Sequence, residues 1–221
     1  MIKAIIFDFD GVILNTFEMS FQSMKYALNN NNVPFTHDDF DTIYGTTTYG
    51  IVEEALKKYS LPYDRKFVEK IGNIKATYQA GLVTKERIFP GAIELLEKLS
   101  KKHSVVLASN NMKVFLCSAL KKLDLEKYFK HVITSEDVAN PKPNPEIFLK
   151  AASLLKLKPQ QCLVLEDSSF GVKAAKAAGM KCIGVTTGHA DRKILFKENP
   201  DLLVESLTEI DAIMEIINRV N

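Results

Sequence analysis

Charge of one sign is what this chain most lacks. Its 29 lysines and arginines stand against 27 aspartates and glutamates, a net of +2. So near a balance gives no basis for a broad attraction to nucleic acid or to a membrane surface. No segment approaches the ~18 uninterrupted apolar residues that a spanning helix needs. The first residues run straight into a strand with no charged leader, so a cytoplasmic protein is expected. Cysteine is scarce: Cys117, Cys162 and Cys182 have no metal-type spacing. Cys162 and Cys182 lie in apolar, strand-like runs and read as small core residues in a reducing compartment. Neither GxxxxGK[ST] nor GxGxxG occurs, so a nucleotide cofactor is not implied. There is no internal repeat and no low-complexity tract.

An ordinary globular balance remains, with 46% hydrophobic and 25% charged residues, enough for a full core. The chain opens with MIKAIIFDFDGVILNT. Ala4 to Phe7 has no polar break and reads as a strand buried on both faces. Ionised carboxylates cannot run through the middle of such a strand, so Asp8 and Asp10 are placed at its end. Residues two apart in extended backbone point the same way, so both acids face one small space. Asp10-Gly11 then turns the chain.

Two textures follow. From about Phe17 to Tyr78 the apolar residues recur at helical spacing: Phe17, Phe21, Met24 and Leu28, then Ile51, Ala55 and Tyr59, then Phe67, Ile71, Ile74 and Tyr78. From about Glu86 the chain alternates between helical stretches and the strand-like runs SVVLAS (104–109), HVITS (131–135), CLVLED (162–167), CIGVTT (182–187) and LLVES (202–206). Alternating β and α elements predict an α/β fold, a Rossmann-like parallel sheet covered by helices on both faces. The expected division is a core of residues 1–14 and 84–221, with residues 15–83 as a helical cap inserted after the first strand and moving as a lid.

Three of the strands end in polar groups: Asp8 and Asp10, Ser109 and Asn110, Glu166 and Asp167. Ligands of open α/β sheets bind outside the carboxyl ends of the strands, so these residues are expected at one rim. Four carboxylates there would repel and require positive charge. A hard divalent ion suits oxygen ligands, and Mg²⁺ suits a site that keeps waters and takes a phosphate oxygen. Lys142, in NPKPNPEIF between Pro141, Pro143 and Pro145, is the second cation, its backbone stiffened by the prolines. The plain alternative is a surface loop whose prolines start the next helix, for which Pro145 alone would suffice.

Together and in this order, DFDGVILNT, LASNN, NPKPNPEIF and LEDSSFGVKAAKAAG resemble the four signature motifs of the haloacid dehalogenase superfamily, over nearly the whole chain. The branch is similar to that of β-phosphoglucomutase, phosphoglycolate phosphatase and the small sugar-phosphate phosphatases. The resemblance implies that Asp8 is a nucleophile forming an aspartyl-phosphate and that Asp10 protonates the leaving oxygen and then activates water. It implies that Ser109, with Asn110, binds the phosphoryl group while Lys142 neutralises it. Asp8, Asp167 and the backbone carbonyl of Asp10 would hold Mg²⁺, with Glu166 a ligand or a partner of one. Asp-x-Asp, rather than one acid, favours phosphoryl transfer over dehalogenation.

In the helical region the resemblance implies less. The mutase's cap histidine and arginine correspond to Ser20 and Thr48, a cap lysine is present at Lys75, and Asn15 stands where many relatives have Asp. Phe17, Phe21 and Met24 read as packing. His37, His103 and His131 read as solvated, as do the lysine pairs 57–58, 101–102 and 121–122, and His189 has a weak claim as a substrate contact. The expected enzyme is a Mg²⁺-dependent phosphatase acting on a small phosphorylated metabolite such as a sugar or polyol phosphate. The alternatives are a phosphomutase of the β-phosphoglucomutase type, a phospho-accepting receiver domain and an inactive binding module. Receivers are single domains of roughly 120 residues, without a cap or Asp-x-Asp spacing, and a binding module would not keep every catalytic position filled. The oligomeric state is left open.

Overall fold

The computed structural model describes residues 1–219. Six strands form the sheet: β1 Ala4–Phe7, β2 Ser104–Ala108, β3 His131–Ile133, β4 Cys162–Glu166, β5 Lys181–Val185 and β6 Leu202–Val204. Their order is β3-β2-β1-β4-β5-β6, and every pairing is parallel. β1 lies at the centre, with Phe7 level with Leu107 on one side and Leu165 on the other. The order reverses beside β1, where open α/β sheets place their sites.

Alternation along each strand divides the core. Ile5, Phe7, Val105, Leu107, Leu163 and Leu165 enter one apolar cluster. Ala4, Ile6, Val106, Ala108, Cys162 and Val164 enter the other. Period-two geometry sends successive side chains to opposite faces, and helices cover both. Cys162 and Cys182 are buried in the second cluster, as expected of small apolar side chains.

Helices α1 Phe17–Asn29, α2 His37–Ile43, α3 Thr48–Lys58 and α4 Arg65–Gly81 follow β1. They surround an apolar cluster of their own that includes Phe21, Met24, Leu28, Phe40, Ile51, Leu56 and Ile71. α2 spans seven residues, too few to show a helical period in the sequence. A Thr36–Asp39 capping box fixes its start. The chain leaves and re-enters the sheet side by side. Asn15 N–H donates to the Arg87 carbonyl at 2.8 Å, and Phe89 N–H to the Ile13 carbonyl at 3.0 Å.

The rest alternates as expected: α5 Ala92–Ser100, α6 Lys113–Leu123, α7 Glu146–Leu154, α8 Ser169–Ala177, α9 Arg192–Lys197 and α10 Ile210–Arg219. α8 begins before Gly171 because Ser168 caps it, accepting from Gly171 N–H. β3 and β6 are shorter than the apolar runs implied, and the six-residue α9 was not read from the sequence. Among the described residues no helix is long and apolar enough to cross a membrane.

Candidate active site

The site lies at the carboxyl ends of β1, β2 and β4. Asp8, Asp10, Ser109, Asn110, Lys142, Glu166 and Asp167 all line one cavity. Ser20, Tyr44, Thr46, Thr48 and Lys75 line it from the helical side.

Lys142 is the hub. Its ammonium donates to Asp8 Oδ1 at 2.7 Å, Glu166 Oε1 at 2.6 Å and the Ala108 carbonyl at 2.8 Å. All three charged side chains are almost completely buried. Burial by itself would lower the lysine's pKa, but Asp8 and Glu166 raise it above the ordinary value, so it stays charged. Asp8 moves up from the usual carboxylate range: burial is the largest cause, with Glu166 and Asp10 adding to it and Lys142 opposing. Asp167 is pushed up in the same way, by burial and then by Glu166, Asp8 and Asp10. One ammonium does not compensate this many buried carboxylates.

That imbalance is what a cation would relieve. Oxygens of Asp8, Glu166 and Asp167 lie within 4.8 Å of one another, and an all-oxygen donor set fits a hard divalent ion. The three acids differ in how far they are committed. Glu166 gives one oxygen to Lys142 and the other to Asp167 N–H, Ser168 N–H and the Ser168 hydroxyl, at 2.9–3.1 Å. Asp167 instead lies against two glycines: a Cβ at Gly11, whose φ is +74°, or at Gly188 would fall 2.0 or 1.7 Å from its Oδ2. Space around that carboxylate depends on their missing side chains.

Asp10 is held from β2. Ser109 Oγ donates to Asp10 Oδ2 at 3.1 Å, and Asn111 Nδ2 lies 3.3 and 3.2 Å from the two Asp10 oxygens. Asn110 faces differently. Its Oδ1 accepts from Lys142 N–H at 3.1 Å, and its Nδ2 donates to the Lys142 and Gly45 carbonyls at 3.2 and 3.3 Å. It therefore braces the lysine's backbone, although it also borders the cavity. The residue missed in the sequence is Asn111. The i, i+2 rule that paired Asp8 with Asp10 also pairs Ser109 with Asn111.

Lys75, from α4, is 2% exposed and makes long contacts with Thr48 Oγ1 at 3.4 Å and Asn111 Oδ1 at 3.5 Å. Burial lowers its pKa to about 8, against a smaller opposing pull from Asp10. The backbone N–H groups where α6 begins are partly engaged within the protein, Lys113 with Glu136 and Met112 with Asn111 Oδ1. His189 does not line the carboxylate cavity. It stacks on Phe17 at 3.9 Å between ring centroids, beside a neighbouring groove.

The fold and rim define a doubly wound α/β protein with an oxygen-rich, cation-seeking centre. Residues 5–185 match the haloacid dehalogenase-like hydrolase family, and the chain belongs to it. It is 32% identical to a phosphorylated carbohydrates phosphatase of Thermotoga maritima, the alignment covering 97% of this chain and 100% of the relative. It is 29% identical to a β-phosphoglucomutase of Bacillus subtilis, over 94% of each chain. A crystal structure of β-phosphoglucomutase from Clostridium difficile superposes with a TM-score of 0.85 at 26% identity, covering 99% of this chain and 98% of the other.

Proposed function

We propose that this chain is a Mg²⁺-dependent phosphatase of small phosphorylated metabolites, sugar or polyol phosphates, working through an aspartyl-phosphate on Asp8. The observation that carries the reading is the different tethering of two carboxylates at one cavity. Asp8 is buried beside Lys142, whereas Asp10 is held from β2 by Ser109 and Asn111.

Asp8 attacks the phosphorus, its oxygen forming the new P–O bond as the bond to the leaving oxygen breaks. Asp10 gives its proton to that oxygen, then takes one from the water that releases phosphate from Asp8. In this reading Lys142 and the Ser109 hydroxyl turn to the phosphoryl oxygens, with Asn110 bracing the loop that presents the lysine. Asp8, Asp167 and the Asp10 carbonyl would hold Mg²⁺, and Glu166 would orient Lys142 and the 166–168 backbone. When bound, the ion supplies charge neutralisation at the phosphoryl group. Residues 15–83 act as the lid that excludes water during attack.

The names of the relatives keep one alternative in view, a β-phosphoglucomutase-type phosphomutase. A mutase must shield its aspartyl-phosphate from water until a sugar hydroxyl returns. Here the helical wall offers the hydroxyls of Ser20, Thr46 and Thr48 with Lys75, a weak grip on a sugar phosphate, so hydrolysis is favoured. Phosphorus NMR over a panel of phosphomonoesters, with and without Mg²⁺, tests the reading. The panel includes β-glucose 1-phosphate with a trace of the 1,6-bisphosphate. Inorganic phosphate is expected to accumulate. Glucose 6-phosphate forming faster than phosphate is released identifies a mutase instead.

A further inference from the structure

Asn111 is 7% exposed, and its side chain is oriented from three directions. Its Oδ1 accepts from Met112 N–H at 2.9 Å, and its own N–H donates to Ser109 Oγ at 3.1 Å. A backbone donor holding Oδ1 leaves the amide one orientation, with Nδ2 toward Asp10. That nitrogen lies 3.3 and 3.2 Å from the two Asp10 oxygens. The remaining contact comes from the helical side, where Lys75 Nζ lies 3.5 Å from Asn111 Oδ1.

We propose that Asn111 is the positioning residue for Asp10, holding its carboxylate toward the leaving oxygen and tying that orientation to Lys75 on α4. The inference rests on the phosphatase reading. Asp10 lies three residues beyond the end of β1, where its backbone is bridged to Leu14; that bridge fixes its Cα and leaves the direction of the carboxylate to its side-chain partners. A proton donor misplaced by about 1 Å can lose on the order of 10²-fold in rate. A purely structural Asn111 would serve only to accept from Met112 N–H, and its loss would then weaken turnover of every substrate alike. The amide nitrogen distinguishes the two roles.

The test is Asn111→Ala, which removes the amide without adding a carboxylate beside Asp10, compared on two substrates. Glycerol phosphate has an alkoxide leaving group that needs a proton, whereas p-nitrophenyl phosphate releases a stable phenolate. For the alkyl ester kcat/KM should fall about 100-fold, within the ~10²–10⁴ that general acid–base catalysis supplies. The aryl ester should lose less than about 10-fold, and KM should change little on either. Equal losses on both substrates, or retention of more than about half of kcat/KM on the alkyl ester, overturn the proposal.

Nitrogen-15 NMR of the wild-type protein and of Asp10→Asn gives a readout without turnover and with Asn111 intact. The Asn111 side-chain amide protons should exchange slowly and shift on Asp10→Asn. Fast exchange with no shift overturns the proposal. A wild type inert toward every phosphomonoester, with the amide protected and shifted, overturns the phosphatase reading and supports the Asn111–Asp10 tie.

Discussion

The sheet rim and the helical wall face the same cavity but are built on different physical terms. On the rim, Asp8, Lys142, Glu166 and Asp167 are buried and ionisable, and the pairs Lys142 makes with Asp8 and Glu166 join residues 134 and 24 positions apart. On the wall, Ser20, Tyr44, Thr46 and Thr48 are neutral, and Lys75 is the one cation lining that side among the described residues. Charges are costly to bury, and Lys142 and Glu166 are each anchored by several partners. Hydroxyls can be exchanged at about 1 kcal/mol each. The difference teaches where chemistry and selectivity are expected to separate: rim changes should act on kcat, wall changes on KM.

Asp8→Asn is the most severe way to probe the rim. It removes the attacking oxygen's charge while keeping side-chain volume, and Lys142 keeps Glu166 as its partner. Hydrolysis of any phosphomonoester should fall by at least about 10³-fold, roughly 4 kcal/mol of barrier, with the circular dichroism spectrum unchanged. More than about a tenth of wild-type kcat in a steady-state assay removes Asp8 as nucleophile.

Metal removal comes second. Chelation should abolish turnover, and Mg²⁺ at about 100 times its dissociation constant should stabilise by ~2.7 kcal/mol, some 5–10 °C in Tm for a chain of this size. The sign of its pH dependence follows from the raised pKa values of Asp8 and Asp167. Without metal, the folded state favours their protonated forms, so stability from these two groups is present at low pH and is lost as pH rises. Mg²⁺ binds the ionised forms, so its stabilisation should be larger at pH 8 than at pH 5. Calorimetric scans showing a pH-independent increment count against these two acids as ligands.

The same contrast governed what could be read in the sequence. The β1, β2 and β4 rim was legible because a buried apolar strand must release its polar groups at an end, and parallel topology then collects those ends. Asp8, Ser109 and Asp167 could be placed together on that ground, and Lys142 by the positive charge that their crowding calls for on a proline-stiffened loop. Asn110 was read at the rim and borders the cavity, whereas Asn111, which borders it too, comes into view only when the i, i+2 direction from Ser109 is followed past the strand. By periodicity the wall was legible only as helix, and Ser20, Thr48 and Lys75 were singled out there by the family resemblance alone. α2 was too short for periodicity, and Tyr44, Thr46 and Thr48 reach the cavity through the turn between α2 and α3 and the start of α3, which no spacing rule locates. Lys75 was visible as a residue, but not as a buried cation, because burial there depends on how α4 packs against α6.

Lys75 allows the wall's one charge to be tested as a stability effect. Its pKa is lowered from 10.5 to about 8, so between those values the unfolded chain binds more protons than the folded one. Folding stability from this group therefore rises as pH goes from about 8 to about 10.5 and is lost as pH falls back through 8. The full span is roughly 3 kcal/mol at ~1.4 kcal/mol per unit. Lys75→Met should accordingly be more stable than wild type at pH 7, and the gap in denaturation midpoint should narrow toward pH 10. A less stable methionine variant at pH 7 indicates that Lys75 is compensated by a partner stronger than Thr48 and Asn111.

The smallest expected effects sharpen the comparison most, because they require the wall to leave chemistry alone. Ser20 is 6% exposed and borders the cavity opposite the rim, as does Thr48. Ser20→Ala and Thr48→Val delete a hydroxyl at little change in volume. If each hydroxyl hydrogen-bonds the substrate's non-reacting part, its loss is about 0.5–1.5 kcal/mol, a rise of roughly 2- to 12-fold in KM. The bond is the same in ground and transition states, so kcat should stay within about twofold. Thr48 adds an internal control, since its hydroxyl also lies 3.4 Å from Lys75 Nζ. A Thr48→Val effect that vanishes in the Lys75→Met background acts through the lysine, whereas one that persists acts on substrate directly. Steady-state kinetics with a polyol phosphate decide the matter. If either single substitution lowers kcat more than about 10-fold with KM unchanged, the wall takes part in the transition state and the division between rim and wall fails.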